Sequence, residues 1–120
     1  MLLPCNVYVA MKKTKSLSRY GRNAASLLGS LIRSQRLQQG HTAAEVAERA
    51  GISRELLRRI ETGDPGVSLA AAFEAATVVG VPLFEDDPSR LAMEVETSRK
   101  MLRLLPSSAR LRQKAVKDDF

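Results

Sequence analysis

The 120-residue sequence predicts an all-α fold of five helices. It holds no Trp, three Phe and two Tyr, so Ala, Leu and Val must fill the core. Small side chains of this kind suit packed helices better than a sheet sandwich. Apolar residues recur at three- and four-residue intervals in successive windows. Those windows open on Ser, Thr or Asp and close on Gly, the residues that satisfy the bare ends of a helix.

The first helix is expected from about Ala24 to Gln38, with Ala24, Leu27, Leu28 and Leu31 facing inward and Ile32 widening the stripe. Gly40 ends it. Thr42, with Glu45 three residues on, forms a capping box that opens a second helix running to about Ala50. Gly51 stops that helix, Ser53 caps the third, and Gly63 closes it. "GDPG" is a turn built of Gly and Pro. Ser68 caps the fourth helix, whose expected inward stripe is Leu69, Ala72, Phe73 and Ala76 before Gly80. Asp87 as cap and Pro88 in the first turn start the fifth, which stops before Pro106. Its Leu91, Val95, Ser98, Leu102 and Leu105 alternate in spacings of four and three, a short coiled-coil-like seam weakened by Ser98. The seam serves either intramolecular docking or a dimer.

The chain therefore divides into a basic arm over 1–22, a helical domain over 23–86, a C-terminal helix over 87–105 and a basic tail over 106–120. Both termini are expected to be flexible. The net charge is +6, which calls for an anionic partner, either nucleic acid or a membrane surface. Residues 1–22 carry Lys12, Lys13, Lys15, Arg19 and Arg22 and no acid, whereas 64–87 carry Asp64, Glu74, Glu85, Asp86 and Asp87 and no base. The arm lies along DNA phosphates or in the minor groove, or else is a solvated leader. Met11 offers a second candidate translation start. The opening "MLLPCNVYVAM" is too short to span a bilayer and lacks a charged leader. With a single cysteine, Cys5, the chain suits a reducing compartment. The expectation is a cytoplasmic, nucleoid-associated protein with no membrane partner.

Catalysis is not expected. His41 is the only histidine and Cys5 the only thiol, and neither belongs to a catalytic constellation. No phosphate loop or metal-ligand spacing occurs, so no cofactor is expected, and His41 is a turn residue.

Residues 43–62 carry the chemistry. Two short helices crossing steeply need a small residue where they touch, supplied by Ala47, and a turn residue tolerant of positive φ, supplied by Gly51. Val46, Ala50, Ile52, Leu57 and Ile60 provide the buried points that lock them together. This is a helix-turn-helix pattern. In it the amino-terminal turn of the second helix faces base edges. Ser53, Arg54 and Glu55 occupy that turn, and Arg58 and Arg59 lie one turn on. Arg bonds bidentately to guanine and Glu accepts from cytosine, so Arg54 and Arg59 are the first choices for specificity. Leu56 is expected to be exposed, towards a thymine methyl or a partner helix.

"LIRSQRLQQGHTAAEVAERAGISRELLRRIETG" resembles the lambda-repressor-like helix-turn-helix domain of XRE-type regulators, over about Leu28 to Phe84. The resemblance implies a five-helix lambda-repressor-like bundle, a homodimer and a recognition helix in the major groove of double-stranded DNA. It also implies that Arg36 and Glu61 form a structural ion pair. Many such domains carry Gln after the Thr that caps the second helix; here Ala43 stands there, so the phosphate contact is absent or falls to Thr42 and the backbone amides of the helix. "ETGDPGVSL" and the basic tail ending in "DDF" resemble HipB-type antitoxins. That implies autoregulation of an operon through a near-palindromic operator and a HipA-type kinase toxin as partner. Phe120 is then a partner-binding anchor, or else a solvated terminus. The alternative is a stand-alone, phage-like repressor with no toxin.

Overall fold

A computed structural model describes residues 17–107. Five helices and no strand occur among them: α1 (Arg19–Gln38), α2 (Ala43–Ala50), α3 (Arg54–Glu61), α4 (Leu69–Val79) and α5 (Pro88–Leu104). The fold is an all-α helix-turn-helix bundle. The arm beyond Leu17 and the tail after Ser107, with Phe120, lie outside the described residues.

Local chemistry sets the helix ends. The side chains of Ser18, Thr42, Ser53, Ser68 and Asp87 each accept a backbone N–H from the first turn of their helix, satisfying donors that the helix itself leaves bare. Gly51 and Gly80 close α2 and α4 in the left-handed region, at φ 71° and 82°, where a Cβ would be strained. The Ser18 cap starts α1 five residues earlier than the apolar periodicity indicates. Arg19 and Arg22, assigned above to the arm, therefore belong to the first helix.

The chain forms two compact units that divide between Pro82 and Leu83, so Leu83–Asp86 group with the C-terminal helix rather than with the preceding domain. In the first unit α1 and α2 each pack on α3 and α4. Ile32, Val46, Leu57 and Val79 are fully buried at its centre, ringed by Ala47, Ala71, Ala75 and Ala76. Complete burial of each of the four larger side chains stabilises the fold by about 1.5–3 kcal/mol. In the second unit, α5 buries none of its residues.

Two helices face the core differently from the expected stripes. On α1 the buried residues are Gly29 and Ile32, with Leu28 partly covered, while Ala24 is exposed and Leu27 and Leu31 are 61% and 44% exposed. The inward face is displaced by one residue because Gly29 has no side chain. A Cβ there would lie 2.3 Å from the carbonyl oxygen of Ile60 and 2.9 Å from that of Glu61. The backbone of α1 thus rests on the end of α3, and that contact sets the rotation. On α4 the buried residues are Ala71, Ala72, Ala75, Ala76 and Val79; Leu69 is 70% exposed and Phe73 only partly covered. Helices that approach closely select small side chains over large ones, so alanines displace Leu69 from the interface.

Candidate nucleic-acid interface

The turn between α2 and α3 is closed by backbone hydrogen bonds from Ile52 N–H to the Ala47 carbonyl, 3.0 Å, and from Gly51 N–H to that of Glu48, 3.2 Å. Both bonds depend on Gly51 in its left-handed conformation. Val46, Ala47 and Ala50 on α2, and Leu57 and Ile60 on α3, are buried together, with Ile52 partly covered. Leu56 also packs partly against the core. The expectation of an exposed Leu56 is therefore corrected: it is only partly exposed and helps to seat α3.

Opposite this buried seam α3 presents its charged side. Arg54, the first residue of the helix, is exposed and has no ion-pair partner among the described residues. Ser53 accepts the Leu56 N–H at 3.0 Å, which leaves its hydroxyl proton free to donate. Glu55 and Arg58 form a two-pronged pair, Arg58 Nε and Nη2 donating to the carboxylate at 3.0 and 2.6 Å. Both side chains stay more than half exposed. Donation by Arg58 holds the Glu55 carboxyl below its usual pKa, so the pair is ionised throughout the neutral range.

Arg59 behaves differently from Arg54. Its Nε donates to Asp64 Oδ2 at 2.8 Å, while Asp64 Oδ1 accepts the Gly66 N–H at 2.8 Å. The Arg59 bond, and then the Gly66 amide, hold the Asp64 carboxyl below its ordinary pKa. Arg59, expected above as a leading base reader, is paired in this structure with the acid of the "GDPG" turn. Sequence reasoning missed Asp64 because that pairing crosses a helix end. The Glu55–Arg58 pair had a signal, opposite charges three residues apart on one helical face.

At the start of α2, Thr42 Oγ1 accepts the Glu45 N–H at 3.1 Å and lies 3.2 Å from Glu45 Oε1 as a donor. The other carboxylate oxygen is 3.1 Å from His41 Nδ1. These contacts, His41 first and Thr42 next, lower the Glu45 pKa. The Thr42 hydroxyl is thus occupied by Glu45.

Behind the interface Arg36 Nε and Nη2 donate to Glu61 at 2.8 and 3.0 Å, and Arg36 Nη1 donates to the His41 carbonyl at 3.1 Å. The two side chains are only 12% and 8% exposed. One guanidinium thereby joins α1, the end of α3 and the loop before α2. Its low exposure sets it apart from the exposed Arg54 and Arg58 of α3.

No helix among the described residues is long and apolar enough to cross a membrane. The chain matches no curated protein and no solved structure. The helix-turn-helix domain family matches it over residues 27–87, half of the chain and all of the arrangement just described. The protein belongs to the helix-turn-helix domain family and carries an XRE-like DNA-binding domain.

Proposed function

We propose that the protein is a sequence-specific transcriptional repressor that binds double-stranded DNA as a homodimer and has no catalytic activity. The observation that carries this reading is Arg54, exposed in the first turn of α3 with no ionic partner among the described residues. Beside it Glu55 and Arg58 lie on the same charged surface, already paired. Two copies of α3 would enter successive major grooves about 34 Å apart on a near-palindromic operator. Occupancy of that operator excludes polymerase from the promoter.

Arg54→Ala should weaken operator binding by about 1–3 kcal/mol, the value of one bidentate contact to a base, while changing affinity for unrelated duplex far less. Titrations of both duplexes at one salt concentration measure this. Equal loss on the two would reduce Arg54 to a phosphate contact.

Asp64→Asn keeps an acceptor for the Gly66 amide but removes the charge that holds Arg59. Binding to both duplexes should tighten and become more salt-dependent, as expected when a further cation reaches a phosphate. In an Arg59→Ala background the same change should have much less effect. A gain of equal size in both backgrounds would mean that Asp64 acts by its own charge and does not restrain Arg59.

The antitoxin reading extends this proposal with a HipA-type kinase toxin bound through the tail and Phe120. What supports it is the resemblance of "ETGDPGVSL" and the basic tail to HipB-type antitoxins. The test is a pull-down from the native host with the full chain and with a chain ending at Leu105. A stoichiometric kinase retained by the full chain alone supports the toxin partner; promoter binding by both with no retained protein supports the stand-alone repressor.

A further inference from the structure

We propose that the opening of the chain, residues 1–11, docks along an exposed apolar seam of α1. The close approach at Gly29 leaves Ala24, Leu27 and Leu31 turned away from the core, and Tyr20 extends their stripe by one turn. All four are exposed, Tyr20 by 83%. Successive spacings of four, three and four residues hold them within about 60° of the helix circumference, so they form one continuous strip. Single apolar residues on a surface are ordinary, whereas a contiguous strip marks a contact surface.

Charge and reach choose the occupant. The exposed side chains of α1 include Arg19, Arg22 and Arg33, and the helix holds no acid. A second copy of α1 on this seam would set two wholly basic helices side by side, and such like-charge contact opposes association. Residues 1–11 carry no Lys, Arg, Asp or Glu and include Leu2, Leu3, Val7, Val9 and Met11. Their burial therefore meets no repulsion between side chains and desolvates no charged side chain. Residues 12–17 connect this stretch to the Ser18 cap of α1. Six residues reach about 20 Å when extended, and Tyr20 to Leu31 covers about 17 Å of helix axis, so the whole seam lies within reach. Leu17 already lies back against the helix, its Cδ1 3.3 Å from where a Cβ on Gly21 would stand. An occupant on so short a tether binds at an effective concentration on the order of millimolar, which favours it over a free partner of equal chemistry.

Cys5, the only cysteine, makes the docking measurable in the full chain by disulfide formation. Ala24→Cys places a second thiol on the seam, and Arg33→Cys places one about 180° away round the same helix; both positions are exposed. Under mild oxidation, followed by non-reducing electrophoresis, the disulfide within one chain should form roughly tenfold faster or more with Ala24→Cys, since the bond requires the two Cα atoms to come within about 7 Å. Leu2→Ser, Leu3→Ser, Val7→Ser and Val9→Ser together should bring the Ala24→Cys rate down to that of Arg33→Cys. Equal rates at the two positions would reveal a tether with no docking site. Disulfides that join two chains would assign the seam to a second copy. A fast rate that survives the four serine substitutions would remove apolar contact as the cause. Each of these three results would overturn the proposal. Because no DNA is present, none of them bears on the operator reading.

Discussion

Gly29→Ala should destabilise the domain by about 1–3 kcal/mol, a substantial share of the roughly 5–15 kcal/mol typical of a whole domain. Substitution of Gly by Ala inside a helix ordinarily stabilises by up to about 1 kcal/mol, so intrinsic propensity points the opposite way. The contact decides. The new methyl would lie 2.3 Å from the Ile60 carbonyl oxygen and 2.9 Å from that of Glu61. These are backbone atoms at the end of α3 and cannot turn aside as a flexible side chain does. Relief requires α1 to move off α3, which opens the packing around Ile32 and Leu57, both fully buried. Urea unfolding followed by circular dichroism measures the loss. Gly21→Ala in the same helix is the control: there a Cβ meets the side chains of Leu17 at 3.3 Å and Ser18 at 3.4 Å. It should be neutral or mildly stabilising. Equal stability of the two variants would show that α1 is not held by this approach.

Arg36→Ala should cost about 3–5 kcal/mol, the range for removing one member of a buried ion pair. Glu61 would then keep its charge at 8% exposure with neither of the two hydrogen bonds it now accepts from Arg36. The His41 carbonyl would lose the third. The pair as a whole is worth much less than this, because its formation already costs the desolvation of two charges. Joint replacement of Arg36 and Glu61 by Met should therefore recover most of the stability that Arg36→Ala loses. Thermal or urea unfolding of the single and joint variants tests both statements. A single variant within about 1 kcal/mol of the unaltered protein would place the pair among ordinary surface bridges. Since Arg36 is largely covered and held by Glu61, folded Arg36→Ala protein should also keep its preference among duplexes while binding all of them less at temperatures near its melting point.

How far the sequence reaches differs from residue to residue. Thr42, Ser53, Ser68 and Asp87 were recognisable as caps because a cap bonds to amides within its own first turn, and Gly51 because its turn requires positive φ. The Leu57 and Ile60 positions follow from helical spacing within eight residues. The start of α3 is legible for the same reason, so the sequence places Arg54 and Glu55 in its first turn. Arg36–Glu61 is different: the partners are 25 residues apart, and only likeness to a known domain suggested their pairing.

The sequence by itself determined the class of the fold, the helix limits to within five residues and the helix-turn-helix, since each depends on hydrogen bonds and periodicities local to the chain. Only the tertiary structure decided which face of α1 and α4 is buried, and which arginines of α3 remain free. Adjacent apolar stripes on one helix have nearly equal hydrophobicity, so the choice falls to the closest backbone approach, at Gly29 and along the alanines of α4. The arginines of α3 differ little in sequence. Arg54 stands clear and Arg58 pairs with Glu55 one turn back on the same helix, while Arg59 turns to Asp64 because the turn after α3 carries that acid back to it.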